Sequence, residues 1–201
     1  YTGGGAVWNF TAGANPCTDY WQGVTCNDVC NETFASLCNI EVLELFKFNL
    51  IGAIPTELIQ LSALLRLDLS DNSLFGMVPA FVGGLSELKE LWLGVNSLHG
   101  SIPVELCART ALEVLALELN YLTGSIPTAV GGMTQLSALG LGFNLMSGTL
   151  PSELGLLGES LQCKICHSVR PTFPRCLLLI YHGCVFVCFA SAIAPLPQGL
   201  T

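Results

Sequence analysis

Between residues 43 and 151 the apolar positions of the chain follow one rule. Leucines stand two apart, an asparagine follows three residues after the second leucine, and the unit closes on a glycine, one residue, and an apolar–proline pair. The stretch "LWLGVNSLHGSIP" at 91–103 returns as "LDLSDNSLFGMVP" from Leu67, "LALELNYLTGSIP" from Leu115 and "LGLGFNLMSGTLP" from Leu139. A weaker copy, "LELFKFNLIGAIP", starts at Leu43. Gly52, Gly76, Gly100, Gly124 and Gly148 are 24 residues apart, as are Pro55, Pro79, Pro103, Pro127 and Pro151. A constant period means one structural unit per copy.

The alternation in each "LxL" predicts a short strand with both leucines inward and the intervening residue outward. Asn72, Asn96, Asn120 and Asn144 fall where the chain leaves the strand. A buried amide there can donate to and accept from the backbone of its own and the next coil. A leucine would leave turning backbone groups unpaired at roughly 1–3 kcal/mol each, so these four residues form a structural asparagine ladder. Glycine with its permissive φ and proline with its fixed one then shape the return path. Segments such as "TELIQLSAL" and "AFVGGLSEL" have room for a helical turn or two, packing Leu58, Leu61, Phe81 and Leu85 beneath the strands. No unit buries its leucines alone, but stacked units cover each other.

The pattern "LxLxxNxLxGxIPxxLGxL" resembles the plant-type 24-residue leucine-rich repeat of receptor-like kinases, receptor-like proteins and polygalacturonase inhibitors. Five copies cover residues 39–162, and "NPCTDYWQGVTC" at 15–26 is similar to that family's N-terminal cap, with Trp21, Gly23 and Val24 beside Cys17 and Cys26. The resemblance implies an α/β fold: a right-handed solenoid with short parallel strands on a concave face and short helical or 3-10 turns on the convex side. It also implies a disulfide-rich cap, an extracellular location, and recognition of a protein, peptide or glycan. Phe48 departs from the pattern by standing at the asparagine position of the first copy, with Asn49 beside it.

On such a concave face the residues between and just after the inward leucines form columns across the coils. One runs Lys47, Asp71, Val95, Leu119, Phe143; another Glu44, Asp68, Trp92, Ala116, Gly140; a third Asn49, Ser73, Ser97, Tyr121, Leu145. The first two coils present charge, with Glu44, Asp68 and Asp71 read as a solvated face. The last three present an apolar patch of Trp92, Val95, Leu119, Tyr121, Phe143 and Leu145, the candidate ligand-binding surface. A soluble monomer seldom keeps such a patch without a use, and Trp and Tyr are common interface anchors.

Composition narrows the partners. With 51% hydrophobic and 11% charged residues the chain has ample material for a core. A formal net charge of −8 and only seven Lys and Arg leave no footprint for nucleic acid. Residues 1–162 carry four basic and fifteen acidic side chains, whereas 163–201 carry Lys164, Arg170 and Arg175 and no acid. That shift coincides with the end of the period, giving three parts: a cysteine-rich cap at 1–38, the repeats at 39–162, and an apolar, cysteine-rich end at 163–201.

Ten cysteines, with Cys17, Cys26, Cys30 and Cys38 crowded together, point to oxidised pairing and a secretory compartment. Asn9 and Asn31 stand in glycosylation triplets. A start at Tyr1 without an apolar leader is what a removed signal peptide, or a fragment, would give. Cys163, Cys166, Cys176, Cys184 and Cys188 are disulfide candidates of odd number, with Cys107 available as a partner or as a small buried thiol. Cys163–His167 has the form CxxCH of haem attachment, and Cys176 or His182 could complete a zinc set. Capping disulfides are the simpler reading, so no cofactor and no metal are expected.

Residues 176–194 are apolar enough to raise a membrane span. Arg170 and Arg175 before them and the absence of basic residues after them run against it, and a cap over the last coil is preferred to an anchor. Three histidines and scattered acids offer no paired acid and base, so an enzyme is not expected. The leading function is a non-enzymatic extracellular recognition module. The alternative is a structural protein that stacks through its solenoid ends into head-to-tail homo-oligomers.

Overall fold

A computed structural model describes residues 14–30 and 38–160. Among the described residues ten strands fall into two sheets. In the larger, β1 (Val24–Cys26), β2 (Ile40–Glu44), β4 (Arg66–Asp68), β6 (Glu90–Trp92), β8 (Val114–Ala116) and β10 (Ala138–Gly140) lie in that order. In the smaller, β3 (Ile51–Gly52), β5 (Ser73–Met77), β7 (Ser97–Gly100) and β9 (Tyr121–Leu122) lie side by side. All pairs are parallel except β1 with β2. Neighbouring strands are successive copies of one motif, so the molecule is a right-handed solenoid of five coils, with the larger sheet lining its concave face.

Register follows from the leucines. Leu43, Leu67, Leu91, Leu115 and Leu139 are paired in line along the larger sheet, and slipping by one residue would turn each of them to solvent. Leu67, Leu91 and Leu115 are fully buried, as are Leu93 and Leu117. Each such burial is worth roughly 1.5–3 kcal/mol. In β4, β6, β8 and β10 the strand stops at three residues because the bend begins at once.

The chain returns on the convex side through short helical turns, each following a proline that fixes φ and cannot extend the preceding strand pairing. Four are 3-10 turns, at Thr56–Gln60, Ala80–Gly84, Thr128–Gly132 and Ser152–Ser160, and one is a four-residue α1, Val104–Cys107. They bury Val82, Leu106 and Val130 against the leucines beneath, including Leu88, Leu112 and Leu136.

The N-terminal cap closes the first coil. β1 runs antiparallel along β2, with its register shifted between Thr25 and Cys26. The Glu44 amide donates to the Gly23 carbonyl at 2.7 Å. Gly23 has φ +80°, and a Cβ there would stand 2.1 Å from the Glu44 carbonyl oxygen, so only glycine fits. Cys17 is bonded to Cys26 and Cys30 to Cys38.

The asparagine bends are built differently from the expectation in one respect. Asn96 donates from Nδ2 to the carbonyls of Leu93 and Gly94 in its own coil, but its inter-coil bonds go backward: Nδ2 to the Leu69 carbonyl at 3.0 Å, and the Leu74 amide to Oδ1 at 3.0 Å. Asn72, Asn120 and Asn144 repeat this with the preceding coil, not the next. The cause is that the bend's own amides, such as Leu69, Asp71 and Asn72, already donate forward to Trp92, Gly94 and Val95. Each bend is therefore closed by the amide of the coil that follows it. The first coil, with Phe48 packed against the core instead of an asparagine, has its Leu45 carbonyl and Leu50 amide served by Asn72.

Candidate ligand-binding face

The six apolar candidates lie on adjacent coils but not on one sheet: Trp92 ends β6 of the concave sheet, Val95, Leu119 and Phe143 stand at the bend that follows, and Tyr121 in β9 of the smaller sheet and Leu145 lie past the bend. Val95, Leu119, Tyr121 and Leu145 are 40%, 41%, 56% and 57% exposed. Trp92 and Phe143 are half-buried. Between them the outward positions of coils four and five hold Ala116, Gly140 and Gly142, all buried, so the strand face recedes to a floor of small residues bordered by the larger side chains. The column of Trp92, Ala116 and Gly140 is thus an edge and a floor.

Lys47, Asp71, Val95, Leu119 and Phe143 share a second property. All five have left-handed backbone, φ +54° to +59°, a conformation that is costly for side chains other than Gly, Asn or Asp and most so for a β-branched valine. This kink follows the strand and carries the column to the border of the concave face. Leu119 and Phe143 are held there by backbone geometry rather than by burial.

The charged half of the face is more tightly organised than a solvated surface. Arg66 Nε lies 3.2 Å from Glu44 and 3.5 Å from Glu90, and the guanidinium also approaches Asp68 at 3.8 Å. The Arg66 guanidinium stands 5.8 Å from the Trp92 ring, whose Nε1 donates to Glu90 at 3.0 Å. Asp68, expected in solvent, is buried and accepts from the Ser70 amide at 3.0 Å and from its hydroxyl. Asp71 pairs with Lys47 at 3.2 Å. Trp92 is therefore a fixed anchor, tethered on one side by Arg66 and on the other by Glu90.

One group on this face was not singled out in the sequence. Glu118 is half-buried, and its Oε2 is buried without a hydrogen-bond partner among the described residues. Burial raises its pKa, opposed in part by a bond from its own backbone amide. The column Phe46, Ser70, Gly94, Glu118, Gly142 contained the signal: a lone charge set between two glycines.

Elsewhere chemistry is sparse. A recess of about 440 Å³ lies where the cap meets the first coil, lined by Asn15, Cys17, Cys38, Ile40, Gln60 and Ser62 among others, with no ionisable side chain. The Sγ atoms of Cys17, Cys30 and Cys38 lie within 4.8 Å of one another, but they are bound up in the two disulfides and so are not thiolates free to hold a metal. Cys107 is buried in α1 as a free thiol. Asn9, Asn31, Cys163, Cys166, Cys176, Cys184, Cys188, the CxxCH sequence and residues 176–194 lie outside the described residues. Among the described residues no helix is long and apolar enough to cross a membrane.

Comparison with known proteins fits this geometry. The Leucine Rich Repeat family model matches residues 63–85. A chain of the BIR3–SERK2 complex from Arabidopsis thaliana is 34% identical, with a TM-score of 0.64, over 76% of this chain and 79% of that one. The chain belongs to the leucine-rich-repeat family. Its repeats are of the plant type, and the leucine-rich-repeat ectodomain of the receptor kinase SOBIR1, also from Arabidopsis thaliana, is similar at 28% identity and a TM-score of 0.64, with 73% of this chain and 79% of that one covered. The plant peptide hormone receptor RGFR1, in complex with RGF2, is 37% identical with a TM-score of 0.56 over 58% of this chain. This leucine-rich-repeat chain spans only 18% of that receptor chain. No curated protein matches the sequence.

Proposed function

We propose that this protein is an extracellular recognition module, binding rather than catalytic, that takes an extended protein or peptide segment across the concave face of coils three to five. The observation that carries the reading is the run of exposed Val95, Leu119, Tyr121 and Leu145 on consecutive coils, at and just past the bend that borders the concave sheet beside the tethered Trp92. Support comes from the similar plant peptide hormone receptor RGFR1 in complex with RGF2 and from the similar chain of the BIR3–SERK2 complex. The two disulfides of the cap suit an oxidising compartment.

Selection of peptides from a random displayed library on the full chain tests this. Enriched peptides should lose about tenfold or more in affinity on Trp92→Ala and on the exposed Tyr121→Ser, while both variants melt near the parent. No enrichment, or binding indifferent to both substitutions, would remove the reading. Sedimentation over a range of concentrations separates it from head-to-tail assembly, since a binding module stays small when alone.

A further inference from the structure

The face holds a carboxylate oxygen, Glu118 Oε2, that is buried without a hydrogen-bond partner among the described residues. The Glu118 carboxylate lies flat on the backbone of coil three: a Cβ added to Gly94 would meet Oε1 at 2.7 Å and Cδ at 2.9 Å. Glycine at 94 is what lets the acid fold down there, and Gly142 on the other side leaves it without a side-chain neighbour in its column. Its Oε2 is buried and unpartnered among the described residues. Burying a carboxylate without a compensating bond is unfavourable, and a cation that completes the pair recovers a charge-assisted hydrogen bond.

The rest of the face cannot supply that cation. Arg66 is already held by Glu44 and Glu90, Lys47 by Asp71, and Lys89 by Glu113 at 3.5 Å. Residues 1–162 carry four basic against fifteen acidic side chains, so an anionic ligand would meet repulsion and a basic one attraction. The side chain of Glu118 is only half-buried, and rotation about its own torsions can turn Oε2 toward a ligand without moving the backbone. Val95 and Leu119, exposed beside Gly94 and Glu118, set apolar contacts directly next to the charge.

We propose that Glu118 is the specificity-determining residue of this face: it accepts a hydrogen bond from the guanidinium or ammonium of a basic side chain within an otherwise apolar peptide segment, whose apolar residues lie on Val95 and Leu119. The assignment rests on the concave-face reading above. It adds the charge and position of the ligand's central residue.

The same displayed library, run on the full chain and on Glu118→Gln, decides it. The parent should enrich peptides with Arg or Lys flanked by apolar residues, and Glu118→Gln should bind those peptides at least about tenfold more weakly. Replacing the basic residue by Gln in the peptide should cost the parent a similar factor and cost Glu118→Gln little more, as a double-mutant cycle requires of a direct pair. Glu118→Gln should also melt above the parent, because the desolvated charge is gone; melting below it overturns the premise. Enriched peptides that depend on Trp92 but carry no basic residue, or that bind Glu118→Gln equally well, overturn this inference alone. Absence of any enriched peptide overturns it together with the reading on which it rests.

Discussion

At the scale of single residues, the asparagine of each bend does more than turn the chain. Asn96 Oδ1 and Nδ2 together reach one amide and three carbonyls, two of these four groups in the coil before it. Asn96→Leu keeps the volume roughly and strands the Leu74 amide, whereas the Leu69 carbonyl keeps the Asn72 Nδ2 donor at 2.9 Å. At about 1–3 kcal/mol for a buried group left unpaired, the loss should be about 1–3 kcal/mol, read as a fall in the denaturation midpoint with unchanged slope. The presence of an asparagine at this spot was legible from its phase among the leucines. The direction of its reach was not, because it depends on which neighbour the bend amides have already claimed. Glu118 was missed for a similar reason: nothing in a charge on a variable position says that the neighbouring coil has a glycine for it to lie on until the columns are compared side by side.

At the scale of elements, period and burial told most of the story in advance. Leucine spacing of two is enough to place each strand, and the 24-residue repeat is enough to align the strands, but the three-residue strand holds only the first leucine of each pair, the second, such as Leu93, being buried just past its end. The short convex turns were visible only as segments with room for helix, and which of them is 3-10 or α is set by packing that sequence spacing does not encode. The charged end of the concave sheet was misread: Asp68 was assigned to solvent on its chemistry, whereas Arg66 beside it and Ser70 after it give it partners in place of water. The cap's attachment is the element most exposed to a single change. Gly23→Ala puts a methyl 2.1 Å from the Glu44 carbonyl in a backbone conformation that alanine disfavours, so β1 must separate from β2. The expected result is loss of hydrogen-exchange protection at the Glu44 amide and a lowered melting temperature, with protection around Leu91 and Leu115 retained.

At the scale of the whole molecule, stability is shared between neighbours, since coils touch only the coils beside them. Cys107 offers a built-in gauge of how far that sharing extends. Its thiol is buried beneath the middle coils, and burial, with the nearby Glu105 charge adding to it, pushes its pKa up to about 11. Neutral and shielded, it should resist alkylation in the native state and react on opening of the solenoid centre. Mass mapping of the Cys107 peptide along a denaturant series should therefore place its labelling at the main unfolding transition, not before it. The sign with pH follows from the raised pKa. The unfolded chain's thiol ionises first, near its ordinary value of 9, so Cys107 contributes stability below that pH and loses it as pH rises toward 11.

The backward reach of the asparagines gives the solenoid an arrow. Because every bend is finished by the unit downstream, a unit can be the first in the stack without an amide of its own, as Phe48 shows, but none can be the last without something to stand in for the missing successor. Among the described residues the coil around Asn144 is the last, and no asparagine of a following coil closes its bend. Shortening this protein from its front should consequently be forgiven more readily than shortening it from its back, even where both cuts remove equal lengths and equal numbers of leucines.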